Sequence, residues 1–515
     1  MRAAAVATAN AATAAHDILG SVLDHAVATP ARPAAKDDQR DLTFGQLRDA
    51  AGALAAGLTA RGVGPGDRIA LQLPNSVDFL VSALACLWVG AIFVPLAATD
   101  PPVRVAGVVD DCDPALVLAS PAIEHSHSRA IDVAEVTGSP TVAPIDPADR
   151  PAYAIYTSGT TGTPKGVVIG RRAFATAVWS WNNMAGLDRD TRALCVSPFH
   201  FDGAFATLFP PLAAGGSLVI PPRESLLFPR YFLRAVARER ITLTGSSPSY
   251  IRLVLPSPQL KSLADTQLRI LPLGGEACAA SDVARLWDAA PQLRVFNRYG
   301  PTETTIAVSH FEITRDSVAR GGAIPIGKPH PGSTFYLMDG QGQVIDEPDQ
   351  TGELYIGGAQ LMSGYWGAPA LTAQVLRNDI VSGQTLYRTG DLVRRDSDGN
   401  YVYVDRADRV VKRHAVRISL VELGQVLAAL PGVTAATCVT FDNDGGLGIA
   451  AFVASAAISS PEQLRRAATD RLPATMLPDT IHVVDALPMT SSNKVDERKL
   501  LADAGLQPSR RNPEQ

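Results

Sequence analysis

Eleven residues, Tyr156 to Gly166 (YTSGTTGTPKG), hold three glycines, four threonines, one serine and one lysine. Such a stretch offers little to a core. Its unobstructed backbone N–H groups can wrap an anion, and Lys165 adds a compact positive charge. The spacing is not that of a Walker A loop, and a plain surface loop is the alternative reading of this composition. Further along, Asp202 sits between aromatic and small residues in SPFHFDG. A carboxylate there needs a partner or serves as a helix N-cap. His200 beside it is either a packed histidine or part of a pocket wall. Gly274-Gly275, ahead of Glu276, permits a flat ring to approach the backbone or simply makes a turn. Lys494 lies in a Ser/Asn-rich stretch, TSSNK, where a loop is expected.

The eleven-residue string resembles the phosphate loop of the adenylate-forming superfamily: acyl-CoA synthetases, luciferases and the adenylation domains of nonribosomal peptide synthetases. Four more strings stand in that family's order: NRYGPTETT from Asn297, YRTGD ending at Asp391, DRADRVVK from Asp405 and PMTSSNKVD ending at Asp496. The resemblance covers residues 20 to 505. It implies that Thr157, Ser158, Gly159, Thr160, Thr161, Gly162 and Lys165 embrace the phosphates of ATP, with Gly274, Gly275, Glu276 and Gly300 in the nucleotide site. It further implies that Tyr299 stacks on adenine, Asn297 bonds its edge, Thr302 touches phosphate, and Asp391 and Arg406 take the ribose. Glu303 would hold Mg²⁺, a sensible task for a carboxylate among phosphate oxygens. Asp408 would be the hinge and Lys494 the catalytic lysine.

By the same resemblance Asp202 holds a substrate amine. Gly203, Ala206, Gly245, Leu273, Arg298, Ile306 and Ala307 line the side-chain pocket. Arg298 either pairs with a substrate carboxylate, neutralises Asp202 or points away. The implied activity is activation of a carboxylic acid, here an amino acid, to an acyl-adenylate, with transfer to the phosphopantetheine of a carrier protein. The acid's side chain is expected to be bulky, polar or acidic. The chain ends shortly after Lys494, so a separate carrier is expected. An amide synthetase or CoA ligase of the same superfamily is the alternative, and a non-catalytic nucleotide-binding regulator is a third reading. Ala415 replaces a family glycine, Arg413-His414 replaces Ile-Arg, and Asn493 replaces the glycine before the lysine; these departures bear on the second half-reaction.

These residues need a scaffold. With 515 residues, 46% hydrophobic and 19% charged, the chain is expected to form two or more domains. A net charge of −5 gives no basic excess for nucleic acid. No apolar run reaches a membrane span, and five scattered cysteines suit a cytoplasmic protein without disulfides or zinc. The expected class is mixed α/β: a large N-terminal domain of helix-covered sheets with a distorted β-barrel, then a small α+β lid. The expected boundaries are a leader over 1–19, a core over 20–407 and a lid over 408–515. Thr43 and Gln46 form a capping box ahead of Leu47, Leu54 and Leu58. Asn75 or Ser76 caps a second helix that Gly90 ends. The strands flanking that helix, Ile69–Leu73 and Ile92–Val94, predict a largely parallel sheet. Asp398-Gly399-Asn400 is a hairpin turn. The lid should hold helices near 419–430 and 461–472 and strands near 433–439 and 447–453.

Overall fold

A computed structural model describes residues 17–97, 102–121, 128–139, 143–146, 150–157, 165–407, 410–413, 416–443, 446–455, 460–469, 477–490 and 495–509. Ser158 to Gly162, Asp408, His414, Ala415, Asn493, Lys494 and the expected leader up to His16 lie outside the described residues. The chain divides into two compact units. The first takes residues up to Tyr336, Tyr355–Thr389 and Asp398–Tyr401; the second takes Leu337–Leu354, Gly390–Ser397 and residues from Val402 on.

In the first unit, the Thr43 hydroxyl accepts from the Gln46 amide at 3.3 Å, and the Gln46 side chain accepts from the Thr43 amide at 2.9 Å. This reciprocal cap starts the helix Phe44–Ala60, whose Leu47, Leu54 and Leu58 are buried. The next helix, Val77–Val89, is capped by Ser76 and ends at Gly90 with φ 73°. Asn75 has a different task. Its amide donates to the Ser197 carbonyl and accepts from the Phe199 N–H, both at 2.9 Å, and so ties this turn to the segment that leads to Asp202.

The two large sheets follow from this strand–helix alternation. One has nine strands. Six neighbours in it are parallel: Pro33–Lys36, Ser217–Val219, Arg192–Cys195, Leu243–Gly245, Ile270–Gly274 and Arg294–Tyr299. On its far side Ser309–Ile313 runs antiparallel to Arg294–Tyr299, with Arg298 opposite His310. The other sheet has seven strands. Pro151–Thr157, which enters the glycine-rich loop, is parallel to Ile92–Pro95, and Lys165–Gly170, which leaves the loop, is antiparallel to Pro151–Thr157. Thr157 and Lys165 are therefore register partners.

A cluster of aromatic rings sits behind these strands. Phe205 is fully buried, with ring centroids of Tyr153 at 5.1 Å, Phe209 at 5.2 Å and Phe93 at 5.8 Å. Phe205→Ala is expected to cost about 3–5 kcal/mol, the range for truncating a core aromatic. A urea midpoint lowered at unchanged slope is the measurement.

The second unit has its own core of Ile418, Leu423, Leu427, Ile449, Val453 and Leu464. Its helices include Leu420–Ala428, shorter than the expected span, and Pro461–Thr469; the end of the second expected span, 470–472, lies outside the described residues. Val433–Asn443 pairs antiparallel with Gly446–Ser455, which pairs parallel with Thr480–Val484. Both strands run longer than expected, and their pairing continues through Asp442↔Leu447 to Asn443↔Gly446. Among the described residues no helix is long and apolar enough to cross a membrane.

Candidate active site

Three clusters in the first unit gather most of the described candidates. The first joins Lys165, Glu303 and Tyr365. Lys165 leaves the glycine-rich loop on a strand that pairs with Gly364–Tyr365. Its ammonium donates to the Tyr365 hydroxyl at 2.8 Å and lies 3.2 Å from Glu303 Oε1. The Tyr365 hydroxyl donates to the same Oε1 at 2.7 Å. Burial, and then the Glu303 charge, push the Tyr365 phenol well above its ordinary pKa, so it stays a donor. Glu303 is 7% exposed on a short 3-10 turn, Thr302–Thr304. The cluster is a buried carboxylate with a cation against one oxygen. Thr157, opposite Lys165, has a sealed hydroxyl that meets no partner.

The second cluster surrounds Asp202. The expectation of an N-cap does not hold. Asp202 lies inside a 3-10 turn, Asp202–Ala204, whose cap position is Phe201, and no side chain bonds that helix start. Its Oδ2 is sealed from solvent without a partner. Burial raises its pKa to about 6 and the Glu303 charge adds to this, while the Thr302 hydroxyl, the Gly203 N–H and Arg298 act the other way. Arg298 and Asp202 form no ion pair within 4 Å, yet each feels the charge of the other. Its Nε and Nη1 are likewise sealed and unpartnered. Burial lowers the guanidinium pKa to about 10, against the opposing pull of Asp202.

Arg298 lines a narrow cavity, and Asp202 is not among its lining residues. Ala206, Ile306, Ala307 and Arg298, four of the expected pocket residues, line it together with Trp181 and His310. Gly203 has open space around it. Gly245 is covered: a Cβ there would stand 2.8 Å from the Thr207 methyl. Leu273 is buried in a hydrophobic core on that sheet. Gly300 is a genuine close approach, since a Cβ on it would meet the Ala307 Cα at 2.6 Å. The loop after Glu303 is strained. Thr305 and Ile306, both β-branched, hold φ of 62° and 70°, a conformation that costs roughly 1–3 kcal/mol at each residue. Gln360 holds them there. Its amide nitrogen donates to the Ala307 carbonyl at 2.8 Å, and its backbone carbonyl accepts from the Thr305 hydroxyl at 2.6 Å.

The third cluster fixes Glu276. It accepts from the Ser249 N–H at 3.1 Å and the Ser249 hydroxyl at 2.7 Å, and pairs with Arg252 at 3.3 Å. Gly275, just before it, takes φ 84°, and Gly274 packs its Cα against Arg298, where a Cβ would sit 3.1 Å from the carbonyl. Asn297 is 4% exposed and its amide nitrogen donates to the Pro325 carbonyl at 2.8 Å. Tyr299 ends the same strand. In the second unit, Arg406 donates to Asp391 Oδ1 at 3.2 Å, so the two expected ribose ligands stand together.

Sequence reasoning missed Tyr365, Gln360, His330, His310 and Trp181. Trp181 had a usable signal, three positions after Val178 on one face of the helix Arg171–Ala185. The others belong to no string that was singled out.

The AMP-binding enzyme family model matches residues 22–366, and the AMP-binding enzyme C-terminal domain matches residues 422–494. Tyrocidine synthase 3 of Brevibacillus parabrevis is 33% identical over 488 residues, which are 92% of this chain and 8% of that protein. The chain thus spans less than a tenth of that relative's length. A solved four-domain nonribosomal peptide synthetase bound to AMP and glycine superposes with a TM-score of 0.83 at 26% identity, covering 98% of this chain and 37% of the other. The solved IdnL1 gives a TM-score of 0.70 at 30% identity, covering 92% and 99%. With the expected mixed α/β fold in place and its larger part matched, the chain belongs to the AMP-binding, adenylate-forming enzymes and is an acyl- or aminoacyl-AMP-forming ligase.

Proposed function

We propose that this ligase activates an amino acid with ATP and passes the aminoacyl group to the phosphopantetheine thiol of a carrier protein. The observation that carries the amino-acid reading is Asp202: a partly buried carboxylate whose Oδ2 is sealed and unpartnered, within reach of the Glu303 charge. A substrate ammonium supplies what that oxygen lacks. The relatives named as peptide synthases support the carrier reading.

In the first half-reaction a substrate carboxylate oxygen bonds to the α-phosphorus and pyrophosphate leaves. Two anions must meet. Lys165, at the end of the glycine-rich loop, offsets phosphate charge, and Asp391 and Arg406 hold the ribose. Asn297 and Tyr299 orient the base. Lys494 bridges the carboxylate and phosphate oxygens. In the second half-reaction the thiol sulfur bonds to the acyl carbon, AMP leaves and the thiol proton is released.

Mg²⁺ fits Glu303 chemically: it is a buried hard anion whose contacts with Lys165 and Tyr365 both fall on Oε1. Among the described residues no set of three or more His, Cys, Asp or Glu could hold a metal, so phosphate oxygens and water would complete the shell. When bound, the ion supplies charge neutralisation on the phosphates.

Pyrophosphate exchange across amino, aryl and fatty acids is the test. Amino acids are expected to support exchange, and their des-amino counterparts to fall at least tenfold lower. Exchange with amine-free acids alone would reject the reading. Product analysis with carrier protein, CoA or amine then identifies the acceptor.

A further inference from the structure

We propose that the activated acid carries a second anionic group on its side chain, and that Arg298 is the residue that receives it. This rests on the amino-acid reading of Asp202 and extends it to the side chain.

Arg298 lies in the strand Arg294–Tyr299, with its Cα facing that of His310 across the antiparallel pair. Two of its nitrogens are sealed from solvent and bond to nothing. Among the described residues no carboxylate forms an ion pair with it within 4 Å. A guanidinium with no carboxylate in contact is costly to keep in such a place, and its planar fork suits a carboxylate. The cavity it faces is otherwise apolar apart from His310 and Trp181, whose indole N–H is also sealed and unpartnered.

His310 cannot serve as the counter-ion, and its tautomer follows from a chain of bonds. Gln360 is oriented by the carbonyls that its amide nitrogen meets, the nearest being Ala307 at 2.8 Å. Its Oε1 therefore faces His330 Nδ1, at 2.9 Å, and that nitrogen must carry a proton. His330 Nε2 then accepts from His310 Nδ1, with which it is in contact. His310 Nε2 is left as a neutral acceptor, sealed and unpartnered. The ring is held by Trp181, stacked on it at 4.6 Å, and by its edge contact with His330.

Charge then decides between substrates. A substrate ammonium matches Asp202 and leaves Arg298 unmatched. A side-chain carboxylate makes the set neutral. A carboxamide of equal length could donate to His310 but leaves the guanidinium charge bare. An aliphatic side chain satisfies neither.

The test is exchange by the full chain with glutamate, aspartate, glutamine and norvaline, repeated with Arg298→Gln and Arg298→Lys. The expected result is a kcat/KM for one of the acidic amino acids at least thirtyfold above both neutral ones. Arg298→Gln should lower the acidic value about a hundredfold, and Arg298→Lys should restore part of the loss. A wild-type preference for glutamine or norvaline, or an acidic value unmoved by Arg298→Gln, overturns the proposal. Should Arg298→Gln not fold, shown by a lost ATP-induced thermal shift, the wild-type ratio alone decides. Glutarate and valerate complete the panel. If only amine-free acids react, the Asp202 reading fails, and a thirtyfold preference for glutarate over valerate still sustains the Arg298 proposal, while its absence ends it.

Discussion

Replacing Lys494 by alanine is expected to lower the adenylation rate by about 10²–10³ and to leave ATP binding intact. The reason is electrostatic. Charge accumulates on the α-phosphorus oxygens and on the departing pyrophosphate as the carboxylate arrives. One unit charge at about 4 Å contributes about 4 kcal/mol at an effective dielectric near 20, which corresponds to roughly a thousandfold in rate. A group that acts only as the bond forms changes kcat and spares ground-state binding. Lys165 cannot substitute, because its ammonium is already engaged by the Tyr365 hydroxyl and Glu303. Single-turnover formation of the acyl-adenylate, with ATP affinity measured separately, checks the prediction. An unchanged adenylation rate would remove Lys494 from the catalytic role proposed for it.

What could be read in the chain, and what could not, divides along the length of the interactions. The Thr43–Gln46 box is local, three residues apart, and its residue types suffice to foresee it. The cap at Ser76 was one of two local options, and the choice was settled by a distant partner: Asn75 is drawn away by Ser197 and Phe199, 122 and 124 residues on. The motif strings were legible because a nucleotide demands fixed residue types at fixed spacing. Their supports were not. Gln360 is 53 residues from the Ala307 carbonyl it holds, and Tyr365 is 200 residues from Lys165. No periodicity or turn chemistry encodes such pairs; they exist only once the sheets bring the strands together. Gly245 shows the converse. The resemblance gave it a place in the pocket wall, and only the structure shows that Thr207 and Pro272 take up the space that a side chain would use.

The affinity for the amino acid is expected to fall as the pH drops through 6, about tenfold in KM between pH 7 and pH 5, with kcat nearly unchanged. The cause is Asp202, whose pKa is raised to about 6, first by burial and then by the charge of Glu303. The Thr302 hydroxyl, the Gly203 N–H and the Arg298 charge oppose the rise without cancelling it. Tyr153, also close enough to feel Asp202, is pushed well above its ordinary value and stays neutral throughout. The sign is fixed by which form binds. Only the carboxylate attracts an ammonium, so binding is complete above pH 6 and is lost below it. The folded protein alone behaves in the opposite sense. A carboxyl whose pKa rises on folding favours the native state at low pH, and about 3 kcal/mol of that contribution fades as the pH climbs from about 4 to 6. Substrate should therefore raise the melting temperature more at pH 8 than at pH 5.5. Asp202→Asn should flatten the KM profile and lift KM for the amino acid about 10²-fold, because a buried charge loses its counter-ion. The des-amino acid, which never used that contact, should be insensitive to both the pH and the substitution. A KM for the amino acid that stays level from pH 5 to pH 8, or one that Asp202→Asn leaves in place, would show that the ammonium is held elsewhere.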